Sequence, residues 1–210
     1  VTPEVAGSSP VILAIPFAFF GKRASQETAS RSIRGSPLSP GFAPLAPRFP
    51  DYMTLPDLPP PILIEDEAGM DRLLSDLEGE TEIAVDTEAD SFFVHREKVC
   101  LVQITLGETD YLVDPLSAGV DLKRLGPLFA DPERTKIFHD SEYDVLILQR
   151  EYGLDFKGLF DTRVAAATLG SSAPGLASVL HEHFGVELDK SQQRSNWGKR
   201  PLTPEQVAYA

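Results

Sequence analysis

The chain has 210 residues, 42% of them hydrophobic and 24% charged, a balance that suits a globular protein with a buried core. A net charge of −13 excludes a broadly basic surface and at face value counts against nucleic acid as a partner, because phosphate binding draws on Lys and Arg. The single cysteine, Cys100, excludes an intramolecular disulfide and suits a reducing, cytoplasmic setting.

Residues 1–61 hold 12 of the 18 prolines and no sustained period of 2 or 3.6. Proline removes a backbone donor and blocks helix interiors and central strands, so this segment is predicted to be disordered. Its longest apolar run, Val11 to Phe20, is ten residues broken by Pro16, whereas a membrane-spanning helix needs about 20. No basic region precedes it, so it reads poorly as a signal peptide, and no membrane partner is expected. The first residue is Val, which fits a fragment or an alternative start.

Residues 62–210 form the predicted domain. Ile62-Leu-Ile is a short strand, and Glu67 to Leu77 is an amphipathic helix with Met70, Leu73, Leu74 and Leu77 on one face. Three β-rich runs follow at 82–86, 99–105 and 110–114; their short linkers favour antiparallel pairing. A helix at 121–130, a strand at 136–139, a helix at 141–152 and a brief strand at 159–161 come next, then helices at 162–169 and 175–184. The last helix opens on Thr203-Pro-Glu-Gln206, with Thr203 as N-cap, Pro204 at the first helical position and Gln206 closing a capping box. It stops two turns later at Ala210, which predicts truncation. Strands followed by alternating helix and strand indicate an α/β domain with a mixed sheet.

Two clusters carry candidate chemistry. In Ile83-Ala-Val-Asp86-Thr-Glu88-Ala-Asp90 an apolar strand runs into carboxylates at alternate positions. Asp86 and Glu88 share a face, about 7 Å apart along the strand. Like charges that close raise each other's pKa unless a cation lies between them, and a hard divalent metal supplies one; an acidic strand end in solvent is the competing reading. In Phe138-His139-Asp140-Ser141-Glu142-Tyr143-Asp144 a strand ends and a helix starts. Asp144 shares a helical face with the core residues Ile147 and Leu148, where a carboxylate needs a cation or a donor. A dipole-favouring acid in the first turn is the plainer alternative; Asp140 and Glu142 read as solvated. Tyr209, on its own, reads as core packing.

Together these pieces resemble the DEDD exonucleases in their tyrosine-containing branch, and specifically the ribonuclease D family. The first motif, Asp-x-Glu after a strand, is matched by Asp86 and Glu88; the second, an aspartate opening a helix after a strand-end His, by Asp144 and His139. The third, Tyr-x-x-x-Asp, is matched at Tyr209, with its aspartate due at position 213, beyond the last residue. Flanking stretches agree: Arg96-Glu-Lys-Val-Cys-Leu-Val-Gln-Ile, Leu159-Phe-Asp-Thr-Arg163 and Ser195-Asn-Trp-Gly-Lys-Arg-Pro-Leu-Thr-Pro-Glu-Gln206.

The resemblance implies a ribonuclease H-like fold, a five-stranded mixed sheet flanked by helices. It implies two-metal hydrolysis, with Mg²⁺ or Mn²⁺, that releases nucleoside 5′-monophosphates from the 3′ ends of single-stranded RNA, of the tRNA 3′-processing type. Asp86 would bridge both ions, Glu88 would bind the ion that activates water, and Asp144 would help hold the second. A phenol titrates near about 10, so Tyr209 would position water rather than act as base. Without the aspartate at 213, the 210-residue chain is expected to be weakly active or inactive.

The acidic balance, 28 acids against 14 bases over 62–210, leaves one basic stretch, Lys190 to Arg200, with four basic residues and no acid. Trp197 lies within it, and basic groups beside an aromatic suit a single strand; a solvated loop is the alternative. Lys199 and Arg200 are the expected phosphate contacts, with His139 and Trp197 as further substrate contacts. A DNA exonuclease of the same superfamily and a degenerate nuclease acting as a binding module compete with this reading. An Asp-nucleophile phosphatase lacks a suitable Lys-bearing partner motif.

Overall fold

The computed structural model describes residues 59–210, together with a two-residue strand β1 (Val5–Ala6). Apart from that strand and residues 59–61, the expected disorder of 1–61 lies outside the described residues.

A six-stranded sheet organises the domain. Its strands are β2 (Ile62–Ile64), β3 (Glu82–Ala89), β4 (Val99–Leu106), β5 (Thr109–Val113), β6 (Thr135–Phe138) and β7 (Leu159–Asp161), in the order β2-β5-β4-β3-β6-β7. β3, β4 and β5 form an antiparallel meander, as their short linkers predict; β2 pairs parallel with β5, β6 with β3, and β7 with β6. The count corrects the five strands that the resemblance implied. β7 is three residues at one sheet edge, where the Leu-Phe-Asp run had marked a brief strand. It comes in close because residue 158 is glycine: φ is +61°, and a Cβ there would stand 2.4 Å from the Arg134 carbonyl oxygen.

Every residue of β4 is buried, so both faces of the sheet are covered, which the unbroken apolar run Val99-Cys-Leu-Val demands. One face packs on α1 (Glu67–Asp76), on a 3₁₀ turn at Leu122–Leu125 running into α2 (Gly126–Ala130), and on α3 (Glu142–Tyr152). Ile83, Val85, Val102 and Ile104 meet Met70, Leu73, Leu125, Phe129, Ile147 and Leu148 there. On the other face, Leu101 and Leu112 meet Trp197, Tyr209 and Ala210. α4 (Thr162–Thr168), α5 (Leu176–Phe184) and β8 (Glu187–Leu188), which pairs with β1, complete the order before α6 (Pro204–Tyr209).

The helix signals hold at the termini. Asp66 caps α1, accepting from the Gly69 N–H at 2.7 Å. Thr203 and Gln206 form the predicted capping box on α6. Lys136, in β6, is fully buried and was not foreseen as structural. Its ammonium donates to the carbonyls of Asp131 at 2.5 Å, Arg134 at 2.7 Å and Leu128 at 3.4 Å, satisfying acceptors at the end of α2. Among the described residues no helix is long and apolar enough to cross a membrane.

Candidate active site

β3 runs on past the expected end at residue 86 to Ala89, so Asp86 and Glu88 lie within the strand. They project to the face that carries Leu101, since Glu88 is opposite Leu101 and Asp86 opposite Gln103 in β4. Tyr209 packs on Leu101's face, so the tyrosine and both carboxylates belong to one side of the sheet.

Asp144 arrives by another route. β6 pairs with β3 only from Glu82 to Ala84, leaving the β3 edge uncovered beside Asp86 and Glu88. The chain turns out of β6 through Asp140, at φ +67°, and α3 starts immediately. Its first turn brings Asp144, 7% exposed, against β3. Thr87 lies between the two strand carboxylates and points to the opposite face, where it donates its hydroxyl to Asp144 at 2.5 Å. Asp144 thus reaches the strand segment that carries Asp86 and Glu88, through the residue between them.

Burial and neighbouring charge act on all three carboxylates. Burial, then the Asp144 charge, push the Asp86 carboxyl well above its ordinary range, against a lowering hydrogen bond from the Thr87 N–H. Burial, followed by Asp86 and Asp144, lifts Glu88 to about 9. Asp144 rises to about 6, chiefly by burial, with the Thr87 hydroxyl pulling the other way. These oxygen donors suit a hard divalent cation. Among the described residues no three ligating side chains already stand at metal-holding distance. The fit therefore lies in donor chemistry and mutual repulsion, which a cation would relieve.

Two positioning residues escaped the sequence reading. Thr87 is one; its signal was a hydroxyl between two acids on a strand whose other face is core. Asp161, at the end of β7, is the second. It accepts from the N–H groups of Asp140 at 3.1 Å and Ser141 at 2.8 Å, and from the Ser141 hydroxyl at 2.9 Å. It also caps α4 through the N–H groups of Arg163 and Val164, so one carboxylate anchors both the entry to α3 and the start of α4. Burial alone would raise its pKa, but these hydrogen bonds outweigh burial and hold it below the usual range. Ser141, just before α3, makes no side-chain cap bond, its hydroxyl being engaged by Asp161. As expected, Asp140 and Glu142 are exposed, and Asp140 pairs with Arg163 at 2.9 Å.

The expected substrate contacts divide. Lys199 is exposed. His139, at the end of β6, has its Nδ1 2.9 Å from the Thr162 hydroxyl oxygen. That hydroxyl donates to the Phe138 carbonyl at 3.0 Å, so Nδ1 donates and the buried, unpartnered Nε2 is left as an acceptor. Burial lowers the imidazole pKa, which favours this neutral form. Trp197 is corrected: at 1% exposure it is core, its ring 6.0 Å from that of Tyr209, where no base can stack. Arg200 is corrected as well. Its guanidinium donates to both Asp114 oxygens, at 2.5 and 2.7 Å, and to the carbonyls of Cys100, Trp197 and Lys199. A side chain so occupied ties the 195–210 segment to β4 and β5 rather than meeting phosphate.

The geometry agrees with what the chain resembles. A family model described as 3′-5′ exonuclease matches residues 61–210, well over half of the chain. This chain belongs to the 3′-5′ exonuclease family. The exosome complex exonuclease RRP6 of Saccharomyces cerevisiae is 37% identical to this exonuclease over 150 residues, 71% of the chain and 20% of the yeast protein. Ribonuclease D of Desulfotalea psychrophila is 40% identical over 130 residues, 61% of the chain and 34% of that protein. The crystal structure of Escherichia coli RNase D, an exoribonuclease involved in structured RNA processing, superposes with a TM-score of 0.64 at 33% identity, covering 71% of this chain and 40% of that one. The exonuclease is thus ribonuclease D-like, and it spans about a fifth to two fifths of the length of these relatives.

Proposed function

We propose that this exonuclease removes nucleotides one at a time from the 3′ ends of single-stranded RNA, releasing nucleoside 5′-monophosphates. One observation carries the reading. Asp86, Glu88 and Asp144 come from two separate elements to the open edge of β3; burial raises the proton affinity of all three, the Asp144 charge adds to Asp86, and the Asp86 and Asp144 charges add to Glu88. Among the described residues none of the three is in an ion pair.

In this reading the three carboxylates would hold two divalent ions, Mg²⁺ or Mn²⁺, whose chemistry would be charge neutralisation in phosphodiester hydrolysis. Thr87 and Asp161 fix Asp144 in place. Tyr209, on the face of Asp86 and Glu88, orients the attacking water by its hydroxyl. Lys199 attracts phosphate, and His139 Nε2 accepts a hydrogen bond from the substrate. The loop after β3 adds Phe92 and Phe93, 62% and 52% exposed, with the Arg194 guanidinium 5.8 Å from the Phe92 ring centroid. Exposed aromatics beside a cation suit the stacked bases of a single strand. RNA is preferred over DNA because the E. coli relative is an exoribonuclease.

The test uses a chain continued through an aspartate four residues after Tyr209, as the third motif requires. With Mg²⁺ or Mn²⁺ it should shorten 3′-unpaired RNA stepwise to 5′-monophosphates. Asp86→Asn should slow this about a thousand-fold, equivalent to about 4 kcal/mol. Undiminished degradation in excess chelator would overturn the metal-dependent reading. Equal rates on matched DNA would overturn the RNA preference. The unextended chain should be much slower; equal rates would remove position 213 from the site.

A further inference from the structure

Gln103 stands in the middle of β4 with none of its surface exposed. Neither its side-chain oxygen nor its nitrogen has a hydrogen-bond partner. A buried orphan amide is costly and calls for an explanation. Leu or Met would fill the same space without that cost.

The register supplies the explanation. Gln103 is directly opposite Asp86 in the β3–β4 pair, and opposed residues project to the same face with Cβ atoms about 4.5–5.5 Å apart. Its partner on the other side is Leu112, which offers nothing polar. Asp86 already accepts from the Thr87 N–H through Oδ1 at 2.9 Å, so Oδ2 is the oxygen without a backbone donor. A carboxylate accepts and does not donate, so only the Nε2 end of the amide can meet it favourably.

We propose that Gln103 is a positioning residue for Asp86. The bond is not formed in this structure; when Asp86 turns its carboxylate to a cation, Gln103 Nε2–H is the donor placed to hold Oδ2 in that orientation. This rests on the metal reading above. Carboxylates that ligate metals are themselves held by hydrogen bonds, and loss of such a support weakens metal affinity about 10–100-fold.

The experiment measures Mn²⁺ binding to the 210-residue chain by the spin-resonance signal of free Mn²⁺, alongside thermal melting without metal. It compares the unsubstituted protein with Gln103→Leu, Gln103→Met and Asp86→Asn. Both Gln103 variants should bind Mn²⁺ at least about ten-fold more weakly. Both should melt at or above the temperature of the unsubstituted chain, because an orphan amide is gone. Mn²⁺ binding as tight as that of the unsubstituted chain would overturn the proposal and leave the metal reading intact. Weaker binding accompanied by a lower melting temperature in both variants would assign Gln103 a purely structural role and overturn it as well. If the unsubstituted chain shows no saturable binding that Asp86→Asn abolishes, the metal reading itself falls, and this proposal with it.

Discussion

Two regions of the same sheet bury charge in opposite ways. At the ends of β4 and β5, Asp114 is fully buried, and its oxygens accept from Arg200, the Leu116 N–H and the Ser117 hydroxyl. Burial alone would raise its pKa, but these bonds outweigh it and hold the carboxyl below its usual range. At the open edge of β3, by contrast, Asp86, Glu88 and Asp144 have no basic partner among the described residues, and burial first, then neighbouring carboxylates, pushes all three up. Charge that holds the fold together is paired within the chain; the unpaired set is the one proposed above to await a cation.

Breaking the paired region should give the largest effect. Arg200→Met strands Asp114 in the interior, and removal of one partner of a buried pair costs about 3–5 kcal/mol. Urea or thermal unfolding of the metal-free protein measures it; a loss within error would mean that Asp114 finds another donor.

Neutralising the unpaired region should have the reverse sign. Glu88→Gln is expected to stabilise the metal-free protein by on the order of 2 kcal/mol at neutral pH. The folded pKa of Glu88, about 9, lies above its ordinary 4.5. The folded state therefore holds the proton more tightly, and the stability from this group falls as pH rises from 4.5 toward 9. The Glu88→Gln chain should lose that slope. Asp114 works the other way, since its folded pKa is lowered: its contribution is present above the ordinary carboxylate value and is lost as pH falls below it. Melting temperature against pH, with and without Mg²⁺, separates the two. A slope unchanged in Glu88→Gln would mean that Glu88 is not the source.

The smallest effect lies at the start of α6. Thr203→Ala removes half of the capping box, at a cost of about 1 kcal/mol. Because α6 carries Tyr209, activity of the extended chain should fall more than this small stability loss suggests. Unaltered turnover would show that Tyr209 needs no help from the cap.

Much of this was legible in the sequence, because local patterns have local causes. The apolar run of β4, the face of α1 and the cap of α6 depend on spacing within a few residues. The alternation of Asp86 and Glu88 followed from the two-residue period of a strand. Other features depended on what lies opposite in space. Asp161 and Gln103 depend on what lies opposite them on other elements, and nothing in their immediate neighbours announces that; Thr87, between two acids, gave only a faint local signal.

Trp197 and Arg200 show the same limit from the other side. In sequence they look like a basic-aromatic strand contact, but in the fold the ring fills the core and the guanidinium meets a carboxylate 86 positions away. Sequence alone determined the element types, the α/β class and the three acids proposed to carry the chemistry, because periodicity and residue chemistry act within one segment. Tertiary structure decided which charges are neutralised and which remain for a ligand. That depends on pairing register and on where β6 stops, both set by packing between segments far apart in the chain.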